Sequence, residues 1–321
     1  GLKVIKKRKN LGLKTLYDIC KIESQPTTYD LGFKLGPRIN AAGRVGKSNL
    51  GVDLLTADDA AKAYDIAMDL DKSNKERQTI EYMLKEKILF EAKNFIDDDV
   101  IVLSGKNWHE GIIGILASRV KDRYNKPTIL ISINEKIGKG SARSIEGFDI
   151  GSQIIKAVHL KILEKGGGHK MAGGFVIKEE NISSFRNLLN NNFKKLNKKS
   201  TKNIDLLLDS IISPTALNED FINDINTLAP FGSGNSEPNF VIENINVISS
   251  TVVNNNHIKS ILIGKDGTTF NSFAWNSINS PLENYLIKKN KKKINIAGKI
   301  RLNEWRGNKR VDFVIEDISV N

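Results

Sequence analysis

The stretch Lys165-Gly166-Gly167-Gly168-His169-Lys170 sets three bare glycines beside an imidazole and two ammonium groups. Glycines without Cβ atoms let a ligand reach backbone N–H groups, and flanking cations would hold a phosphate there. A plain tight turn produces the same pattern, so the segment alone leaves both readings open. Ser141-Ala142-Arg143-Ser144 offers two hydroxyls and a guanidinium to the same kind of oxyanion. Trp108-His109-Glu110-Gly111 closes a loop and opens a helix, where free N–H groups favour an anion. Gly36-Pro37-Arg38-Ile39-Asn40-Ala41-Ala42-Gly43-Arg44 places Arg38, Asn40 and Arg44 among small residues. That arrangement suits phosphate oxygens, or else a surface loop whose arginines cap helix ends. A lone histidine reads as a structural hydrogen-bonder. Two of them, His109 and His169, in separate loops of one domain with Ser141, Arg143 and Ser144 between, favour substrate binding. The four histidines, His109, His159, His169 and His257, are far apart and have no clustered aspartates, so no metal centre is predicted within the chain.

These groups need elements to position them. Residues 1 to about 50 read as a short helix followed by a polar loop that carries the arginines. Residues 57–95 recur apolar at three- and four-residue steps without proline, which predicts a helix of roughly 55–60 Å at 1.5 Å per residue. Its polar middle, 70–78, fits either a connector crossing solvent or a break between two helices. From 99 to about 199 strands (100–103, 128–133, 175–177) alternate with helices (111–120, 147–163, 181–196), predicting an α/β domain with a mixed sheet. The candidate groups fall in its connections. From 204 onward the pattern becomes β-rich: 240–248, 257–263, 268–275, 294–302 and 310–318 read as strands behind a helix at 214–228. Five such strands predict a small barrel of the oligonucleotide-binding type. Trp275 and Trp305 stand near lysines and arginines, as base-stacking side chains would, or else fill the barrel core.

Size and charge bound the function. With 321 residues the chain has room for two or three domains. Its 49 Lys and Arg exceed its 37 Asp and Glu, giving +12, which favours a polyanionic partner. Part of that excess reflects a general richness in Lys, Asn and Ile, so the distribution matters more. Residues 3–14 hold six basic residues and no acid, and 288–301 hold seven and no acid. No apolar run has membrane length and no secretory signal is legible. The single cysteine, Cys20, excludes an internal disulfide and suits a reducing cytoplasm. The absence of an initiating methionine is read as a fragment or a processed chain.

In order, the segments 36–44, 108–119, 141–144, 166–174 and Leu228-Ala229-Pro230-Phe231-Gly232-Ser233-Gly234-Asn235 resemble the RecJ family. That family comprises single-strand-specific 5′→3′ DNA exonucleases of the DHH/DHHA1 phosphoesterase superfamily. The resemblance spans essentially the whole chain. It implies the tail of a DHH domain (1–50), a connector helix (51–95), a DHHA1 substrate-binding domain (96–198) and an OB-like nucleic-acid-binding domain (199–321). It implies single-stranded DNA as substrate, Mn²⁺ or Mg²⁺ as cofactor, no membrane and a monomer. Single-strand-binding protein and a helicase are the candidate protein partners. The family's Asp-His-His motif does not occur here, so the metal ligands are expected in a missing part of the DHH domain, and none in this chain. Carried over, Arg38, Asn40 and Arg44 face the cleft. Ser141, Arg143 and Ser144 grip the terminal phosphate or the adjoining backbone, with Ala142 in place of the family's usual glycine. Gly167, Gly168 and His169 contact substrate near the scissile bond, with His169 an assisting phosphate binder and His109 a loop-shaping contact. Two rivals remain: a non-catalytic single-strand-binding module, and a small-nucleotide phosphoesterase of the same superfamily.

Overall fold

The computed structural model describes residues 1–23, 25–45, 49–197, 206–232, 234–287, 293–305 and 308–320. The chain divides into two compact units, Gly1–Thr201 and Lys202–Asn321.

The first unit opens with helices α1 (Leu2–Ile5) and α2 (Leu11–Ile19). A π-helical stretch, Asp30–Leu35, then runs straight into α3 (Gly36–Val45), and α4 (Leu50–Leu55) follows. The expected arginine-bearing loop at 36–44 is therefore helical. Pro37 sits at the junction of the π-helical stretch with α3. Leu16, Leu35, Ala42 and Leu54 bury together against Ala67 and Leu70 of the next helix, α5 (Ala60–Ala92).

Helix α5 is continuous over 33 residues. Asp59 caps it by accepting from the Lys62 N–H at 2.7 Å. Its polar middle neither breaks nor crosses solvent: Asp71, Asn74 and Arg77 are 6%, 2% and 8% exposed. Burial is tolerable because each group is paired. Arg38 Nε of α3 donates to Asp71 Oδ1 at 2.8 Å, and Lys75 Nζ lies 2.7 Å from Oδ2. Arg77 donates to Asn74 Oδ1 and, at 2.5 Å, to Glu81 Oε2.

An α/β layer follows: β1 (Ile101–Lys106), α6 (Glu110–Tyr124), β2 (Thr128–Asn134), β3 (Ile137–Arg143), α7 (Ile150–His159), β4 (Lys165–His169), β5 (Ala172–Lys178) and α8 (Ile182–Asn197). Strand order is β1-β2-β3-β5-β4, with β1 and β2 parallel and the other pairs antiparallel. This is the mixed sheet predicted from the alternation. Two of its strands, β3 and β4, were not legible, and their functional groups lie on strands instead of in connections. One face buries Ile129, Ile131, Phe175 and Ile177 against Ile154 of α7 and Phe185 and Leu189 of α8. On the other face, Ile101, Leu103 and Leu130 pack with Ile112 and Leu116 of α6 and Ile88 and Ala92 of α5. Arg119 of α6 reaches Glu81 of α5 at 3.6 Å.

The second unit holds β6 (Ser210–Ile211), α9 (Glu219–Thr227), β7 (Phe240–Val253), β8 (His257–Ile263), β9 (Thr269–Ala274), α10 (Pro281–Leu286), β10 (Ile294–Trp305) and β11 (Asn308–Val320). Strands β7-β8-β9-β11-β10 close through a β10–β7 pairing, and β9–β11 is the one parallel pair of that ring. That closed five-stranded barrel is the predicted OB-type architecture. Its core contains Ile242, Ile245, Ile258, Leu262, Ile296 and Phe313. The helix expected at 214–228 is instead a 3₁₀ turn, Pro214–Ala216, followed by α9, which Asn218 caps through the Phe221 N–H. Among the described residues no helix is long and apolar enough to cross a membrane.

Candidate nucleic-acid interface

Strand register decides which of the candidate groups meet. Arg143 pairs with Ala172 and Ala172 with His169; Ser141 pairs with Gly174 and Gly174 with Gly167; Lys139 pairs with Val176 and Val176 with Lys165. Side chains two residues apart share a face. Arg143, Ser141 and Lys139 therefore lie on one side of the sheet with His169, Gly167 and Lys165. This is the side that carries α6 over β2 and β3.

The opposite face explains the remaining residues. Ala142 points into the buried core, so its substitution for the family's glycine leaves the ligand side unobstructed. The glycine run splits the same way. A Cβ on Gly167 would meet nothing within 4 Å, whereas one on Gly168 would lie 2.4 Å from the Ala172 carbonyl oxygen. Gly167 keeps the ligand side open, and Gly168 is required for close packing of the hairpin. Ser144 also turns inward: it is 1% exposed and its hydroxyl donates to the Phe148 carbonyl at 2.6 Å. Its N–H donates to Met171, which fastens the tip of the β4–β5 hairpin. Ser144 thus shapes the site and has no hydroxyl proton left for a ligand.

Helices α3 and α6 supply the other wall. On α3, Arg38 is turned to Asp71, while Asn40 and Arg44, one turn apart, are exposed on another side. Arg44 Nη1 donates to the Gly111 carbonyl at 3.0 Å. A Cβ on Gly111 would stand 2.3 Å from the Arg44 carbonyl oxygen, so only glycine permits this approach of α3 to α6. Gly114, one turn on, leaves the space filled by Arg143 and Ser141, with an imagined Cβ 2.9 Å from Arg143 Nη2. His109 occupies the N-cap of α6 with Nδ1 buried and unpartnered, above a buried Trp108 whose ring fills the place a Cβ on Gly105 would take.

The electrostatics are uneven. Arg143 is half-buried and donates to Ser141 Oγ at 3.1 Å and the Ala142 carbonyl at 2.8 Å. Burial, and then the like charge of Arg44, hold its guanidinium below the ordinary arginine value. Among the described residues neither arginine has a carboxylate within ion-pair distance. A half-buried guanidinium beside a like charge raises the free energy of the empty site, and an oxyanion between the two would relieve it.

On the barrel, Trp275 is 59% exposed, which removes the core reading for that residue. Phe273 and His257 flank it, with ring centroids 4.4 and 4.9 Å away. The Asn276 N–H donates to His257 Nδ1 at 2.9 Å and fixes the ring. Sequence reading missed Phe273 and His257. The register Lys259↔Phe273 and the alternation along β8 and β9 were the signal available. Trp305 ends β10, but its side chain lies outside the described residues, as do residues 288–292 of the basic run.

Two family models match the chain: the DHHA1 domain over residues 97–195 and the RecJ OB domain over 208–317. The *Bacillus subtilis* single-stranded-DNA-specific exonuclease RecJ is 30% identical over 100% of this chain and 41% of its own length. The *Haemophilus influenzae* protein of the same name is 33% identical over 92% and 52%. The chain belongs to the RecJ family. The crystal structure of *Thermus thermophilus* RecJ in complex with Mn²⁺ superposes with a TM-score of 0.83 at 25% identity, covering 99% of this chain and 45% of that one. The chain thus spans about half the length of the RecJ proteins it matches. Another structure of RecJ from *T. thermophilus* contains Mg²⁺. Among the described residues here, no three His, Cys, Asp or Glu side chains converge as metal ligands. The donor set of the described residues does not fit such an ion.

Proposed function

We propose that this chain is the substrate-holding part of a single-strand-specific DNA exonuclease that hydrolyses phosphodiester bonds 5′→3′ in recombination and repair. The observation that carries this reading is the convergence of Arg44 and Arg143, with no carboxylate within ion-pair distance of either among the described residues, on a sheet face floored by glycine. In this reading Arg143 and Ser141 hold the 5′-terminal phosphate: the guanidinium offers its free N–H groups and the hydroxyl adds one more. Arg44 neutralises the same phosphate from α3, and Asn40 contacts the adjoining backbone. His169, about 10 Å across two strand spacings from Arg143, meets the next phosphate as a donor. His109 shapes the α6 end of the cleft. Trp275 and its aromatic neighbours stack bases further along the strand, which favours a polymer over a mononucleotide substrate.

The hydrolytic step is assigned to divalent ions, Mn²⁺ or Mg²⁺, held by the part of the family's length that this chain does not span. When bound, such ions supply an activated water and stabilise charge on the phosphorus centre. This chain alone is inactive in that scheme. Single-strand-binding protein and a helicase remain the proposed partners of the whole protein, acting as a monomer in the cytoplasm.

The test is binding of this chain to a fluorescent 20-nucleotide single strand bearing either a 5′-phosphate or a 5′-hydroxyl. Arg143→Ala is expected to weaken the phosphorylated strand by about 1.5–3 kcal/mol, the worth of a charged hydrogen bond. The hydroxyl strand is expected to change much less. Equal losses on both strands would remove Arg143 from end recognition, and cleavage by the chain with Mn²⁺ would overturn the division of roles.

A further inference from the structure

Past Ser141 the glycine-floored face continues into a groove of about 540 Å³ that the roles above leave unused. Lys139 and Lys165 flank it, Gly174 and Val176 form part of its floor, and Glu110 stands at the α6 rim. The register makes this end a repeat of the first: Arg143, Ala172 and His169 form one row, and Lys139, Val176 and Lys165 form another four residues along. Each row thus sets a hydrogen-bond-donating basic side chain on either side of a small or apolar residue. Alternate residues of a strand are about 6.8 Å apart. That interval is close to the separation of successive phosphates in an extended strand, so the rows at 143, 141 and 139 follow that repeat.

The two lysines differ. Lys139 Nζ is 2.8 Å from a Glu110 carboxylate oxygen across the groove. Lys165 is exposed and, among the described residues, has no ion-pair partner. Among the described residues, the groove end therefore carries one cation without an ion-pair partner and one held by a carboxylate that occupies the position of an anion.

We propose that Lys165 and Lys139 form a second anion subsite, taking the phosphate of a nucleotide, with Glu110 as the built-in competitor for Lys139. This rests on the reading of the Arg143 row as a phosphate site. The phosphate has two sources: a mononucleotide leaving the cleft, or a further phosphate of a strand lying along the groove.

The experiment titrates the whole chain, and its Lys165→Ala, Glu110→Gln and Arg143→Ala variants, with dTMP and with a 5′-phosphorylated 20-mer at several salt concentrations. Lys165→Ala is expected to weaken binding several-fold and, on the 20-mer, to lower the salt slope by about 0.7, the value of one phosphate contact on a single strand. Glu110→Gln is expected to strengthen binding by freeing Lys139. Effects confined to dTMP identify the free nucleotide, and effects on the 20-mer identify the strand. Both variants unchanged on both ligands, with unchanged melting, would overturn the subsite. If Arg143→Ala still weakens the 20-mer in that case, the phosphate reading of the first row survives. If it does not, or if the unmodified chain binds neither ligand, both readings fail.

Discussion

Neighbouring glycines in one short strand have opposite duties, and the difference is measurable. Gly168→Ala would drive a methyl to 2.4 Å from the Ala172 carbonyl oxygen and 2.5 Å from Gly173 Cα. Both obstacles are backbone, so the expected cost is about 1–3 kcal/mol, as for other overpacked sites, read by denaturant melting. Gly167→Ala meets open space and is expected to melt like the unmodified chain while binding 5′-phosphorylated strands less tightly. A neutral Gly168→Ala would mean that the hairpin relaxes and that the assignment of duties is mistaken. The same logic separates the serines: Ser141 faces the arginine, whereas Ser144 is spent on Phe148. Residue types alone could not show this, because Ser-Ala-Arg-Ser reads as two equivalent hydroxyls until the pleat assigns them to faces.

At the scale of elements, α5 is the ruler that spaces α3 and α6. The Asp71 carboxyl tests this. Burial alone would raise its pKa, but hydrogen bonds from Lys75 and Arg38, with their charges, set it below the ordinary value. A carboxyl depressed in the folded state contributes stability above its unfolded pKa, near 3.9, and loses it as pH falls through the folded value. The melting temperature should therefore drop below about pH 4. Asp71→Asn is expected to be less stable by about 1–3 kcal/mol at neutral pH and to show a shallower acid dependence. Some slope persists from Asp30 and Asp149, which are also depressed. A slope identical to that of the unmodified chain would show that the Arg38–Asp71 contact contributes nothing. The helix itself was legible from its apolar period and lack of proline; the burial of its polar face was not. Asp71, Asn74 and Arg77 look like solvent-facing residues because their partners, Arg38 and Glu81, are respectively remote in sequence and hidden by the turn. Strands β3 and β4 escaped notice for a related reason. Ile-Gly-Lys-Gly-Ser-Ala-Arg and Lys-Gly-Gly-Gly-His have little intrinsic strand preference, and their partner β5 imposes the conformation. The barrel strands, rich in Ile, Val and Phe, were readable because propensity and burial agree there.

Across the whole molecule, the excess of +12 is useful only where it is left unpaired. Each unit presents a different attraction: the first unit offers charge at a strand end, and the barrel offers aromatic faces. Trp275→Ala is expected to lower affinity for a single-stranded 20-mer by about 1–3 kcal/mol, the worth of one stacked base. The loss should be the same for 5′-phosphate and 5′-hydroxyl ends, unlike that of Arg143→Ala. A loss that depended on end chemistry would place Trp275 in the wrong role.

The packing of α5 against the sheet also bears on how the protein can be dissected. Residue 97, where the DHHA1 match starts, looks like a natural place to cut. Ile88 and Ala92 lie just upstream and are fully buried against Ile101, Trp108, Ile112 and Leu116. A piece beginning at 97 would bare that apolar seam to water and tend to aggregate, whatever its competence to hold DNA. A soluble preparation of the DHHA1 layer should carry its helix with it, so the start of α5 at Ala60 is the more useful boundary.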